Sequence, residues 1–179
     1  MERRIAKMNI SFAGGTASSG SKTCKVTLPT SWVEAMEIDE SHRELELVFD
    51  GTSITLSRRL SGPEFAARQL ATGHEVRVLR LYDGDTLCST VYADFTGQTL
   101  AVENQPVPLV KTAFGNNPLP AWEDFQQFLE ERCIPRQRAG LREYLEALGL
   151  EEYDPLAIIE KTGGRMAEDQ QWLTMEVLK

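Results

Sequence analysis

Two periodicities share this chain. Period-two alternation of apolar and polar positions dominates up to about residue 104, and helical spacing takes over after it. NISF, residues 9–12, predicts a short first strand, and AGGTASSGSK, from Ala13 to Lys22, is Gly/Ser-rich and reads as a flexible loop. CKVTL then alternates, with Val26 and Leu28 on one face and Lys25 and Thr27 on the other. Pro29 stops that strand and suits the opening of a helix, because a first turn has no use for the missing N–H. Trp32, Val33 and Met36 then make one apolar stripe about two turns long. Leu45, Leu47 and Phe49 alternate with Glu44, Glu46 and Val48, Asp50-Gly51 supplies a hairpin turn, and Ile54 and Leu56 alternate back.

Four short strands and two helical turns cannot enclose much apolar surface. Chains below about 60 residues are marginal on their own, so this opening predicts dimerisation. Arg58, Arg59 and the break LSGPEF read as its end. From residue 74 to 104 the strand pattern returns around two glycine turns, YDGD and FTGQ, which predicts a three-strand meander. NQPVPLVKTAFGNNPLP, residues 104–120, reads as a connector.

Residues 121–162 are helical in spacing. Trp122, Phe125, Phe128 and Leu129 share a face, with Glu123 and Asp124 suited to the first turn. After Pro135 a second helix carries Leu141, Tyr144, Leu145 and Leu148 up to Gly149. Asp154, Pro155 and Gly163 fit the N-cap, first position and C-cap of a third. MAEDQQWLTMEVLK is compatible with helix or strand. The expected architecture is α+β: a dimerising β unit over residues 1–60, then an α+β unit over residues 61–179.

Composition narrows the class. Of 179 residues 41% are apolar and 26% charged, an ordinary globular balance. No apolar run approaches the roughly 18–20 residues that span a bilayer, and MERRIAKMNI is not followed by a signal-peptide core. Cys24, Cys88 and Cys133 are far apart and odd in number, which fits reduced thiols in a cytoplasmic protein better than a disulfide framework. His42 and His74 lie near no cysteine pair, so neither a metal nor a cofactor is expected. The net charge of −8 belongs entirely to residues 61–179, since residues 1–60 carry eight basic and eight acidic side chains. A neutral front and an acidic back predict different partners.

The chemistry-bearing residues admit competing readings. RCIPRQRAGLR places Arg132, Arg136, Arg138 and Arg142 within eleven residues. They serve either as a patch for phosphate or an acidic partner, or as ion-pair partners of Glu130, Glu131, Glu143 and Glu146. EKTGGRMAEDQQW lacks the Gly-Lys-Ser/Thr ending of a phosphate loop, so Arg165 belongs with the partner-facing arginines or pairs with Glu168 or Asp169. Asp83, Asp85 and Asp94 are candidates to gather a nuclease metal, but YDGD is first of all a turn. Cys88 has no histidine near it, and no Gly-x-Ser-x-Gly elbow occurs, so an enzyme is not expected.

Residues 9–59 resemble the swapped-hairpin DNA-binding fold of the AbrB/MazE/SpoVT family. KVTLPTSWVEAMEI is similar to that family's strand, Leu-Pro, short helix and Leu-Gly-Ile signature, and LELVFDGTSITLSRR to its closing hairpin. The resemblance implies two chains interleaved into one barrel that grips double-stranded DNA. By position it implies duplex contacts at Lys22 and Lys25, with Arg58, Arg59, Arg3 and Arg4 flanking. Two departures stand out: Glu37 occupies the family's glycine, where a left-handed cap is formed, and the loop after the first strand is longer and more Gly/Ser-rich than usual. ADFTGQTLAVEN, FLEERCIPRQR and LGLEEYDPLAIIEKTGGRMAEDQQW resemble segments of small proteins from Firmicutes phages and mobile elements, and through them a type II-A anti-CRISPR. That resemblance implies inhibition of the Cas9–guide RNA complex. The front alone implies instead a transcriptional regulator, or an antitoxin that wraps a toxin.

Overall fold

The computed structural model describes residues 2–12 and 22–179; apart from Lys22, the expected loop lies outside the described residues. The chain divides after Arg59 into a front unit and a back unit. Together they form a mixed α+β protein with antiparallel sheets and, among the described residues, five α-helices.

In the front unit β1 (Asn9–Phe12) pairs antiparallel with β2 (Lys22–Lys25). The second strand ends three residues before the expected Leu28, because its partner runs out: Asn9 already sits opposite Lys25. α1 (Thr30–Ala35) begins immediately after Pro29, whose carbonyl accepts from the Trp32 and Val33 N–H groups. Beyond it Glu37 has φ 55°, the left-handed region that glycine enters freely and a branched or bulky residue enters at a cost. β3 (Leu45–Phe49) and β4 (Ile54–Arg58) form the second hairpin, with Leu47 opposite Leu56 and Phe49 opposite Ile54. Asp50 builds its turn, accepting from the Thr52 and Ser53 N–H and hydroxyl groups, and those bonds hold its carboxyl below the usual range.

LSGPEF falls at the division between the units and is also the capped start of a helix, α2 (Gly62–Ala71). There both the N–H and the hydroxyl of Ser61 donate to Glu64. Pro63 falls in the first turn, where its missing N–H costs nothing. Gly62 is required by contact: a Cβ there would stand 2.0 Å from the Tyr92 ring, and its N–H donates to Glu103 at 2.7 Å.

The expected meander is present as β5 (Val76–Asp83), β6 (Thr86–Asp94) and β7 (Thr99–Asn104). The chain's last segment is a strand, β8 (Gln171–Val177), which pairs with β5 and gives a four-stranded sheet in the order β7-β6-β5-β8. Alternation makes the sheet two-sided. Leu79, Leu81, Val91, Ala93 and Leu173 pack with Phe125, Phe128, Leu129, Leu145, Ile158 and Ile159 into one continuous core. These come from α3 (Trp122–Glu131), α4 (Leu141–Leu148) and α5 (Pro155–Thr162), while α2 lies against β6 and β7. Asp154 caps α5 by accepting from the Leu156 N–H, and Gly149 and Gly163 end their helices at φ 71° and 66°. Cys133 is buried in this core, and desolvation pushes its thiol up to about 12.

Candidate nucleic-acid and partner interface

Hairpin register decides which side chains share a face. On β3–β4 the paired positions Leu45 and Arg58, Leu47 and Leu56, and Phe49 and Ile54 alternate with Glu46, Val48, Thr55 and Ser57. One face is therefore apolar apart from Arg58. It is not covered: Phe49 is 68% exposed and Ile54 65%. On β1–β2, Ile10 and Phe12 share a face with Cys24 and Lys22, and Phe12 is 78% exposed. Among the described residues of the front unit none is buried. A folded monomer rarely leaves contiguous apolar surface like this, and such surface marks an interface.

The six cations expected on DNA fall in different environments. Lys25 lies opposite Asn9 on the polar side of its hairpin and is exposed. Lys22 points from the other side, its amine 5.7 Å from the Phe12 ring. Arg4 stands 5.9 Å above Trp32, whose indole N–H donates to Glu2, and Arg3 is exposed. The Arg58 side chain is only 12% exposed and its guanidinium lies 3.7 Å from the Glu37 carboxylate, while Arg59 pairs with Glu44 at 3.1 Å. Arg58 thus shares the apolar face with Leu47, Leu56, Phe49 and Ile54 and lies beside an exposed carboxylate.

The five arginines of the back unit expected to face a partner do not form one patch. Arg132 is buried at 7% exposure. Its guanidinium meets Asp169 through two bonds and donates to the Gly164 and Gln171 carbonyls, tying α3 to the segment before β8. It is a structural cation and is closed to a partner, which corrects the expectation for that residue. Sequence spacing pointed to nearby glutamates, and only the fold brings Asp169 there. The Arg132 hydrogen bond lowers the Asp169 pKa. Arg136 pairs with Glu130 at 2.8 Å and covers the Tyr153 ring, and Arg142 pairs with Glu146 at 3.0 Å. Arg138 is exposed. Arg165, expected to pair with Glu168 or Asp169, instead stacks 5.0 Å from Trp172, which itself stacks on Tyr82.

Of the aspartates expected as nuclease candidates, Asp85 is exposed and the other two have partners of their own. Asp83 accepts from Lys111 and raises that lysine's pKa. Asp94 is 1% exposed and accepts from the Thr96 and Gly97 N–H groups, with His74 Nδ1 at 2.8 Å. Burial opposes its charge, but these bonds win and hold its carboxyl low. Among the described residues no group of three or more His, Cys, Asp or Glu side chains could hold a metal, and no helix is long and apolar enough to cross a membrane.

Sequence spacing missed a cleft of about 240 Å³ between α3 and the connector before it, lined by Ala113, Phe114, Asn117, Asp124, Gln127, Phe128 and Glu131. Phe114 signals nothing by spacing, because its place is set by the tertiary contact of the connector with β6. No family model, curated protein or solved structure matches the chain.

Proposed function

We propose that the chain acts as a non-catalytic homodimer. Its front units complete a swapped-hairpin barrel on duplex DNA, while its acidic back unit engages a protein partner. With the guide-loaded Cas9 complex as that partner, the molecule is an anti-CRISPR that blocks cleavage in the cytoplasm. The observation that carries the reading is the front unit's pair of hairpins, each with an uncovered apolar face. A second copy is the natural cover, since the same two faces recur on it and an interleaved pair would hide both. Lys25 and Arg3 then double in number, and each phosphate they neutralise adds about −0.9 to the slope of log affinity against log salt. Cas9 holds nucleic acid in a positive channel, toward which a back unit carrying the whole −8 is steered.

Sedimentation of the full chain at micromolar concentration tests the pairing, and a cleavage assay with excess protein tests the inhibition. A stable monomer sinks the first, and undiminished Cas9 cutting sinks the second. A second reading, an AbrB-type transcriptional regulator or antitoxin, draws support from the same charge division, because an acidic back unit suits a basic toxin. It requires two-half-site footprints on DNA upstream of the chain's own gene.

A further inference from the structure

The cleft between α3 and its connector has the construction of a docking site. Its lining includes the half-buried Phe114, whose ring lies 5.4 Å from that of the buried Phe128, tilted by 52°. The connector is fixed from both ends of the cleft. The Ala113 N–H donates to Ser89, which is fully buried, and the Asn117 side chain donates to Asp124. The cleft is therefore prepared before anything enters it.

Its rim is negative and stays so. Asp124 accepts only from neutral groups, the Ala121 N–H and the Asn117 amide, and Glu131 accepts from the Gln127 amide. Neither carboxylate has a cationic partner among the described residues, in contrast to Glu130, which Arg136 holds. α3 itself, WEDFQQFLEE, contains no basic residue. Beside the cleft the connector exposes Leu109, Val110 and Leu119, three of the four exposed large apolar residues of the back unit among those described. An acid-rimmed cleft beside exposed apolar residues selects its occupant by charge: a phosphate backbone is repelled, and a cationic chain with apolar side chains is attracted.

We propose that this cleft receives a basic, apolar-anchored peptide segment of a partner protein. A Lys or Arg stem lies over Phe114, and its charged end reaches Asp124 or Glu131. This rests on the reading that the back unit meets a protein, and it names the surface and chemistry of that meeting.

The test uses the full chain and two labelled peptides of about twelve residues, one built from Lys, Leu and Phe, the other with every Lys replaced by Glu. Anisotropy reads affinity and hydrogen exchange reads location. The basic peptide should bind and protect residues 109–131. Glu131→Arg should weaken it at least about tenfold, equivalent to ~1.4 kcal/mol. This change suits the last turn of α3 and so spares the helix. Glu151→Arg, the same charge change on an exposed residue outside the cleft, should shift affinity by less than about twofold.

Equal weakening by both substitutions would reduce the effect to general charge attraction and overturn the proposal. So would protection lying elsewhere, or the cleft being covered by self-association without peptide. If Cas9 is untouched while the basic peptide still occupies the cleft, the partner's identity fails and the cleft stands. If Cas9 is bound while Glu131→Arg leaves peptide and Cas9 binding unchanged, the cleft fails and the partner stands.

Discussion

Arg132 and Asp169 meet end-on, Nη1 to Oδ2 at 2.6 Å and Nη2 to Oδ1 at 3.1 Å, with the arginine buried and the aspartate 36% exposed. The pair joins the end of α3 to the approach of β8, and the same guanidinium also satisfies the Gly164 and Gln171 carbonyls. Truncation leaves two carbonyls and a carboxylate without their donor. Arg132→Ala should destabilise the back unit by roughly 2–4 kcal/mol, somewhat less than breaking a fully buried pair because Asp169 is partly hydrated. A urea midpoint unchanged from the parent would refute this.

Glu37 offers a gain. It holds φ 55° at the end of α1, and glycine there would remove the left-handed strain at the cost of some unfolded-state entropy. Glu37→Gly should stabilise the front unit by about 0.5–1 kcal/mol, less whatever the Arg58 contact contributes, whereas Glu37→Ala should not. Denaturant curves of the two variants against the parent settle the order.

Acid should weaken the back unit through two carboxylates. Asp94 and Asp169 both have folded pKa values below the ordinary 3.8. A lowered value means stabilisation that is complete above the unfolded pKa and is lost as pH falls through the folded one. The urea midpoint should therefore hold down to the ordinary carboxylate range and drop below it. Asp94→Asn should lower the midpoint at neutral pH and flatten part of the acid limb. An acid limb as steep as the parent's would remove Asp94 from the account.

Phe49 tests the front unit. A charge on an uncovered apolar face costs a monomer little but cannot be buried in a dimer. Phe49→Glu should shift the full chain to monomer in sedimentation and abolish duplex binding, with the back unit's unfolding midpoint unchanged. A dimer that survives the substitution would exclude β3–β4 from the contact.

Much of the fold was legible where one physical signal acted alone. The β3–β4 hairpin followed from alternation plus Asp50-Gly51, and α5 from Asp154, Pro155 and Gly163. α2 escaped because Gly-Pro was read as punctuation, although Ser61 and Glu64 carried the capping signal. β8 stayed ambiguous because QWLTMEV is apolar on both helical and strand spacing, and only the free edge of β5 decides it. The role of Arg132 was illegible for a different reason: Asp169 is 37 residues away, a separation that no local pattern reports.

The three tryptophans fall one in the front unit, Trp32, and two in the back, Trp122 and Trp172. Trp122 sits among Phe95 and Phe125, and Trp172 lies under Arg165 and against Tyr82. Replacing those two with phenylalanine would leave Trp32 as a lone optical reporter. Its emission would follow the assembly of the front unit while the rest of the molecule stayed spectroscopically silent.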